Sequence, residues 1–187
     1  LSGSMNNDQV EPPEPVSSVL TAAESFVDRL QIADQVGVVT FASDAIINLE
    51  LTNSKESAKD VIRNLAIDPE EERGNTNTGS ALELSLKEIH SDKHNQNARK
   101  VVVILTDGLA TAPKDDPEGF ALEKALELRS EDVEVYAIGL GAQVNMDFVR
   151  LLATSPEYAF QAISRDQIDD IYTDITGAIC EAVSYTH

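Results

Sequence analysis

Lys100-Val101-Val102-Val103-Ile104-Leu105-Thr106-Asp107-Gly108 is the stretch that decides the fold. Five apolar residues in a row, four of them β-branched, read as a strand. The lack of polar alternation implies burial on both faces, as at the centre of a parallel sheet. Asp107-Gly108 then reads as a turn. In doubly wound sheets ligands bind beyond the carboxyl ends of the strands, so a hydroxyl and a carboxylate at this point stand at the mouth of a possible site.

Outward from that strand, helices and strands alternate. Thr78 to Ile89 carries Leu82, Leu86 and Ile89 at helical spacing. Phe120 to Leu128 reads as a helix, Val133 to Gly139 as a strand, Phe148 to Ala153 as a helix, Ala159 to Ile163 as a short strand and Gln167 to Val183 as a closing helix. On the other side, Val16 to Leu30 shows an apolar stripe through Val16, Val19, Leu20, Ala23, Phe26, Val27 and Leu30. Gln35 to Phe41 and Ala45 to Leu51 read as strands joined by a hairpin turn at Ser43-Asp44. Ser54 is placed to N-cap a helix bearing Ala58, Val61, Ile62 and Leu65. Pro69 through Gly74 is an acidic loop, and the proline-rich opening to Pro15 is another. The pattern predicts an α/β fold: a doubly wound open, mostly parallel sheet flanked by helices. One domain spans 1–187, with 1–15 as a loop and 184–187 as a tail.

Composition narrows the function. The chain has 187 residues, a net charge of −19 and a pI near 4.3. Such a balance repels phosphate backbones and anionic lipid, so nucleic acid and membrane-surface partners are disfavoured. It suits cations and basic protein surfaces, and it also makes a solvated acidic shell. No run of about 18 apolar residues occurs, so no segment inserts in a membrane. The single cysteine, Cys180, is either a buried thiol or one half of a bond to a partner outside this segment. His90 and His94 are four apart in a polar stretch and read as solvated residues. Asp68, Glu70, Glu71 and Glu72 read as a solvated loop, or as a rim that selects basic partners.

Three segments offer oxygen donors on turns: Ser2-Gly3-Ser4, Gly74-Asn75-Thr76-Asn77-Thr78-Gly79 and Thr106-Asp107-Gly108. Each alone is an ordinary turn or cap, with Thr78 close to a helix cap. Together they suit a hard cation such as Mg²⁺, which takes oxygen ligands in near-octahedral geometry. No histidine in a strand-to-helix loop accompanies Ser2, Ser4 or Asp107, so no hydrolytic triad is predicted and the chain is read as no enzyme.

These three segments, in this order, resemble the loops of the metal-ion-dependent adhesion site of von Willebrand factor A domains. Val36 to Phe41 and Val135 to Gly141 resemble two of that family's strands. The resemblance implies that Ser2 and Ser4 bind a metal directly, that Thr76 binds it directly or through water, and that Asp107 acts through water or a neighbouring ligand. It implies Mg²⁺, with Mn²⁺ or Ca²⁺ as alternatives, and a protein ligand whose acidic residue completes the coordination. Asn6, Asn7, Asn75, Asn77, Leu109 and Thr111 would line the binding face without touching metal. The implied role is a divalent-cation-dependent protein-binding or adhesion module, extracellular or at the cell surface. An intracellular subunit of a larger assembly, in the cytoplasm, is the alternative. One departure matters: the family's leading aspartate would stand just before Leu1, on an apolar central strand that this sequence does not contain. The expectation is an N-terminally incomplete domain with weak metal affinity and an open slot beside Val36–Phe41 and Val101–Leu105. The cysteine bond between chain ends in extracellular relatives would leave Cys180 unpaired here.

Overall fold

A computed structural model describes residues 16–66, 75–113 and 115–181, apart from the side chains of 165, 180 and 181. Six helices and five strands follow in the order α1 (Val16–Arg29), β1 (Val36–Phe41), β2 (Ala45–Thr52), α2 (Lys55–Arg63), α3 (Thr78–Ile89), β3 (Lys100–Thr106), α4 (Pro117–Ser130), β4 (Val133–Leu140), α5 (Met146–Leu152), β5 (Ala159–Ala162) and α6 (Arg165–Glu181). A 3₁₀ turn, Pro156–Tyr158, leads into β5.

Local chemistry sets the element ends. The Ser54 hydroxyl accepts from the Ser57 N–H and starts α2 as expected, but the helix stops at Arg63 and leaves Leu65 outside it. Asp116 accepts from the Gly119 N–H and Pro117 fills the first turn, so α4 begins three residues earlier than the apolar pattern suggests. Asn145 takes the N–H groups of Asp147 and Phe148 and starts α5.

β1 and β2 form an antiparallel hairpin, closed by the Ala42 N–H donating to Asp44 O. β3, β4 and β5 form a parallel sheet in that order. One core lies between this sheet and α3, α4 and α5, with Leu82, Leu128, Val149 and Leu152 fully enclosed. A second lies under α1 and α6, where Ile138 and Ile175 are fully buried and Phe26 packs on Tyr172. Each such side chain contributes about 1.5–3 kcal/mol by leaving water. Helices therefore cover both faces of the sheet, the doubly wound arrangement predicted.

The two sheets do not pair with each other. β4 has strands on both sides and is almost wholly buried. In β3, Val101, Val102, Val103 and Leu105 are only half-buried. This corrects the expectation of full burial: the apolar run is there and both faces are covered, but among the described residues β3 has a neighbouring strand on one edge only. No helix among the described residues is long and apolar enough to cross a membrane.

Candidate functional site

β1 and β3 run in the same direction and end at the same rim. The Asn77 N–H donates to Ala42 O at 2.8 Å, just past β1, and the Asn77 side chain donates to Ser43 O at 3.0 Å. The next tie reaches the loop after β3. Thr76 N–H donates to Thr111 Oγ1 at 2.8 Å, and Thr76 O accepts from the Thr111 N–H at 3.0 Å and the Ala112 N–H at 3.4 Å. A cluster of main-chain bonds thus clamps the threonine loop between the ends of the two strands.

Of the proposed metal ligands, Thr76 sits in this clamp and is buried, and Asp107 follows β3 directly and is half-buried. Thr106 braces the turn that carries Asp107, its hydroxyl donating to Gly108 O at 2.9 Å and accepting from the Gly108 N–H at 3.4 Å. Ser2 and Ser4 lie outside the described residues, as do Asn6, Asn7 and the acidic run at 68–72. Asn75 and Thr111 are exposed at the rim, and Leu109 packs against the core with part of its surface open. Asn77 is the exception among the rim candidates. It is the N-cap of α3, a place expected nearer Thr78: its side-chain oxygen accepts from the Ser80 N–H at 3.1 Å, its amide is bonded to Ser43 O, and it is buried. Its side chain therefore faces inward and is already satisfied.

Among the described residues no three His, Cys, Asp or Glu side chains gather to hold a metal. The donor chemistry here is different, one threonine hydroxyl and one carboxylate, hard oxygens of the kind Mg²⁺ prefers. The Thr78 hydroxyl, fully buried at the first turn of α3, has no hydrogen-bond partner among the described residues. A buried hydroxyl left in that state costs about 1–3 kcal/mol, which fits a site that a further polar group completes. The residues described fit a hard-cation site in part, with two of the four proposed ligands in view.

A family model for the von Willebrand factor type A domain matches residues 1–174. The chain belongs to the von Willebrand factor type A family. Matrilin-3 of Gallus gallus is 25% identical over 182 residues, covering 91% of this chain and 38% of its own length. The collagen alpha-6(VI) chain of Mus musculus is 31% identical over 173 residues, covering 90% of this chain and 7% of its own. The chain thus spans well under half the length of these relatives. Proximal thread matrix protein 1 from the mussel byssus, solved with a zinc-occupied MIDAS motif, superposes with a TM-score of 0.76 at 27% identity, over 96% of this chain and 43% of that one. This von Willebrand factor type A chain therefore shares the family's doubly wound α/β fold, with Thr76 and Asp107 at the carboxyl end of its sheet.

The histidines need a correction. His90 is exposed and pairs with Glu131 at 3.0 Å, but His94 is buried rather than solvated. Among the described residues its Nδ1 has no partner, and burial, with Lys100 and His90 nearby, holds its pKa below the usual imidazole value. Nothing in the spacing of polar residues around it marks this. Sequence reasoning placed Thr111 on the ligand rim but passed over the bond by which its hydroxyl takes the Thr76 N–H. The signal that could have found it is a hydroxyl four residues past the aspartate, in a loop with few other acceptors.

Proposed function

We propose that this chain is a divalent-cation-dependent protein-binding module that acts outside the cell or at its surface. Ser2, Ser4, Thr76 and Asp107 would hold Mg²⁺, or Mn²⁺ or Ca²⁺, and a carboxylate from a protein ligand would complete the coordination. When bound, the cation supplies a positive anchor for that carboxylate, and no covalent bond changes. The chain's own residues do the positioning. The clamp at Thr76 fixes the hydroxyl loop against the end of β3, and Thr106 fixes the turn at Asp107. The N-terminus of α3, capped by Asn77, brings a partial positive charge to the same rim and favours an incoming anion. Asn75, Leu109 and Thr111, with Asn6 and Asn7, would contact the ligand around the metal. With a net charge of −19, the surrounding surface favours a ligand whose acidic residue is set among basic ones.

The observation that carries this reading is the pair of hydrogen bonds between Thr76 and Thr111, which locks a hydroxyl-bearing residue beside the loop of Asp107. The family's presence in matrilin-3 and collagen VI, and a metal-occupied motif in the mussel protein, support it. The test is a panel of matrix proteins presented to the chain in Mg²⁺ and in EDTA. Binding should need the cation and should fall at least tenfold in Thr76→Ala and Asp107→Ala. Equal binding in EDTA, or variants that bind as the parent does, would remove the metal from the account.

A further inference from the structure

Thr78 opens α3 with a hydroxyl that the helix does not use. A polar side chain at a helix start ordinarily serves the free N–H groups of the first turn. Here that work is done one residue earlier, where Asn77 Oδ1 accepts from the Ser80 N–H at 3.1 Å. As the first helical residue, Thr78 also has no carbonyl of its own helix four residues back. Thr176 of α6 does, and its buried hydroxyl donates to Tyr172 O at 2.7 Å. Thr106 likewise gives its buried hydroxyl to Gly108 O. Thr78 is more deeply buried than either, at 0% exposure, and its hydroxyl has no partner among the described residues.

The backbone on either side leaves little freedom to relieve this. Before Thr78, the Asn77 N–H is bonded to Ala42 O, and Thr76 is bonded to Thr111 through both its N–H and its carbonyl. After it, a Cβ on Gly79 would stand 2.2 Å from the Phe120 ring, so the first turn of α3 lies against α4 with room for a hydrogen alone. A β-branched side chain held in this way has few rotamers in which to find a partner. Valine has the same shape, and at this position it would remove the cost of burying an unpaired hydroxyl. For packing alone, the hydroxyl is a disadvantage.

We infer that Thr78 is a positioning residue of the cation site: its hydroxyl stays unpaired in the metal-free chain and, when the cation binds, bonds to an oxygen of the coordination shell. This rests on the cation-dependent reading proposed above, and it adds a residue that the four proposed ligands do not include. A hydroxyl donates one hydrogen bond and accepts two, so it can serve a carboxylate, a hydroxyl or a water on the ion. Inside the protein such a bond is stronger than in water, so what the buried hydroxyl costs on folding is offset on binding. Thr78 would then trade stability of the free chain for affinity.

Thr78→Val and Thr78→Ser, each made in the 187-residue chain, separate this role from a structural one. Urea unfolding is read without metal, and Mg²⁺ uptake is read by calorimetry. The Val variant should unfold at higher urea than the parent, because a buried unpaired hydroxyl is gone, and should bind Mg²⁺ about tenfold or more weakly. The Ser variant keeps the hydroxyl and should bind Mg²⁺ as the parent does, even where its lost methyl lowers the urea midpoint. A hydroxyl with a purely structural partner would lower both stability and binding in the Val variant. Three results would overturn the inference: a Val variant that binds Mg²⁺ as the parent does, a Val midpoint that does not rise, or a Ser variant that loses as much affinity as Val. A parent that takes up no Mg²⁺ would remove the cation-dependent reading and this inference together, so the parent alone tells the two failures apart.

Discussion

Thr111→Val is the sharpest probe of the clamp, because it keeps the side-chain shape and deletes one acceptor. The Thr76 N–H, 2.8 Å from Thr111 Oγ1, loses its partner, while the Thr76 carbonyl keeps both the Thr111 and the Ala112 N–H donors. A buried N–H left unpaired costs about 1–3 kcal/mol. Thr111 is exposed, so water can reach part of the gap, and the cost falls to about 1 kcal/mol. Urea unfolding without metal should read that loss. The effect on cation binding is separable. Removing a residue that orients a metal ligand weakens binding by about 10–100-fold. At a Mg²⁺ concentration ten times the parent's Kd, the parent gains about 1.4 kcal/mol from the ion, and a variant with tenfold weaker binding gains about 0.4 kcal/mol. Thr111→Ser keeps the oxygen and should behave as the parent in both measurements. If Thr111→Val unfolds and takes up Mg²⁺ as the parent does, or if Thr111→Ser fails equally, the clamp does not act as described.

Two further perturbations test the frame around the site. The Arg99 guanidinium makes two 2.5 Å bonds to Glu134 and two 3.1 Å bonds to the carbonyls of Ala178 and Ile179 near the end of α6, so Arg99→Met should cost about 2 kcal/mol in urea unfolding, the usual 3–5 for a buried pair being discounted for partial exposure. Glu134→Gln should cost less, and the double variant should cost less than the two single costs added together; strict additivity would deny the coupling. Arg99 also holds the Glu134 pKa below the ordinary carboxylate value, so this contribution is present above the unfolded pKa and is lost as pH falls through the folded one. For His94, burial keeps the imidazole neutral in the folded chain, so stability should fall as pH drops from about 7 through the ordinary histidine range, where the unfolded chain takes up a proton that the folded one refuses. His94→Gln should flatten that slope, and an unchanged slope would place the titration elsewhere.

How far the sequence carried the fold varies by element. α3 runs over Thr78–Ile89 as its apolar spacing predicts, and Ser54 caps α2, because periodicity and capping are local properties. The half-burial of β3 was not legible in its own residues, since Val101–Leu105 has the composition of a central strand; an open edge there was expected from the family resemblance alone, and among the described residues β3 pairs only with β4. The site divides along the same line. Thr76 and Asp107 were legible as oxygen donors on loops after buried elements, and the structure places both loops at one rim. The inward turn of Asn77 depends on the Ser43 carbonyl, 34 residues away, and the bond of Thr111 to Thr76 spans 35. His94 is buried by a turn held through Gln35, again a contact distant in sequence. No window of local pattern contains such partners.

The central claim is that Thr76 and Asp107 belong to a cation site that a ligand carboxylate completes. A titration of the chain with Mn²⁺, followed in the amide spectrum, tests it most directly, because the paramagnetic ion broadens the signals nearest to it. The account predicts that Thr76, Asp107 and Gly108 broaden first, that the binding is weak, and that excess Mg²⁺ restores the signals. Broadening that begins instead at the acidic face of α4, around Glu123 and Glu127, or that reaches no residue of the two loops, would contradict it.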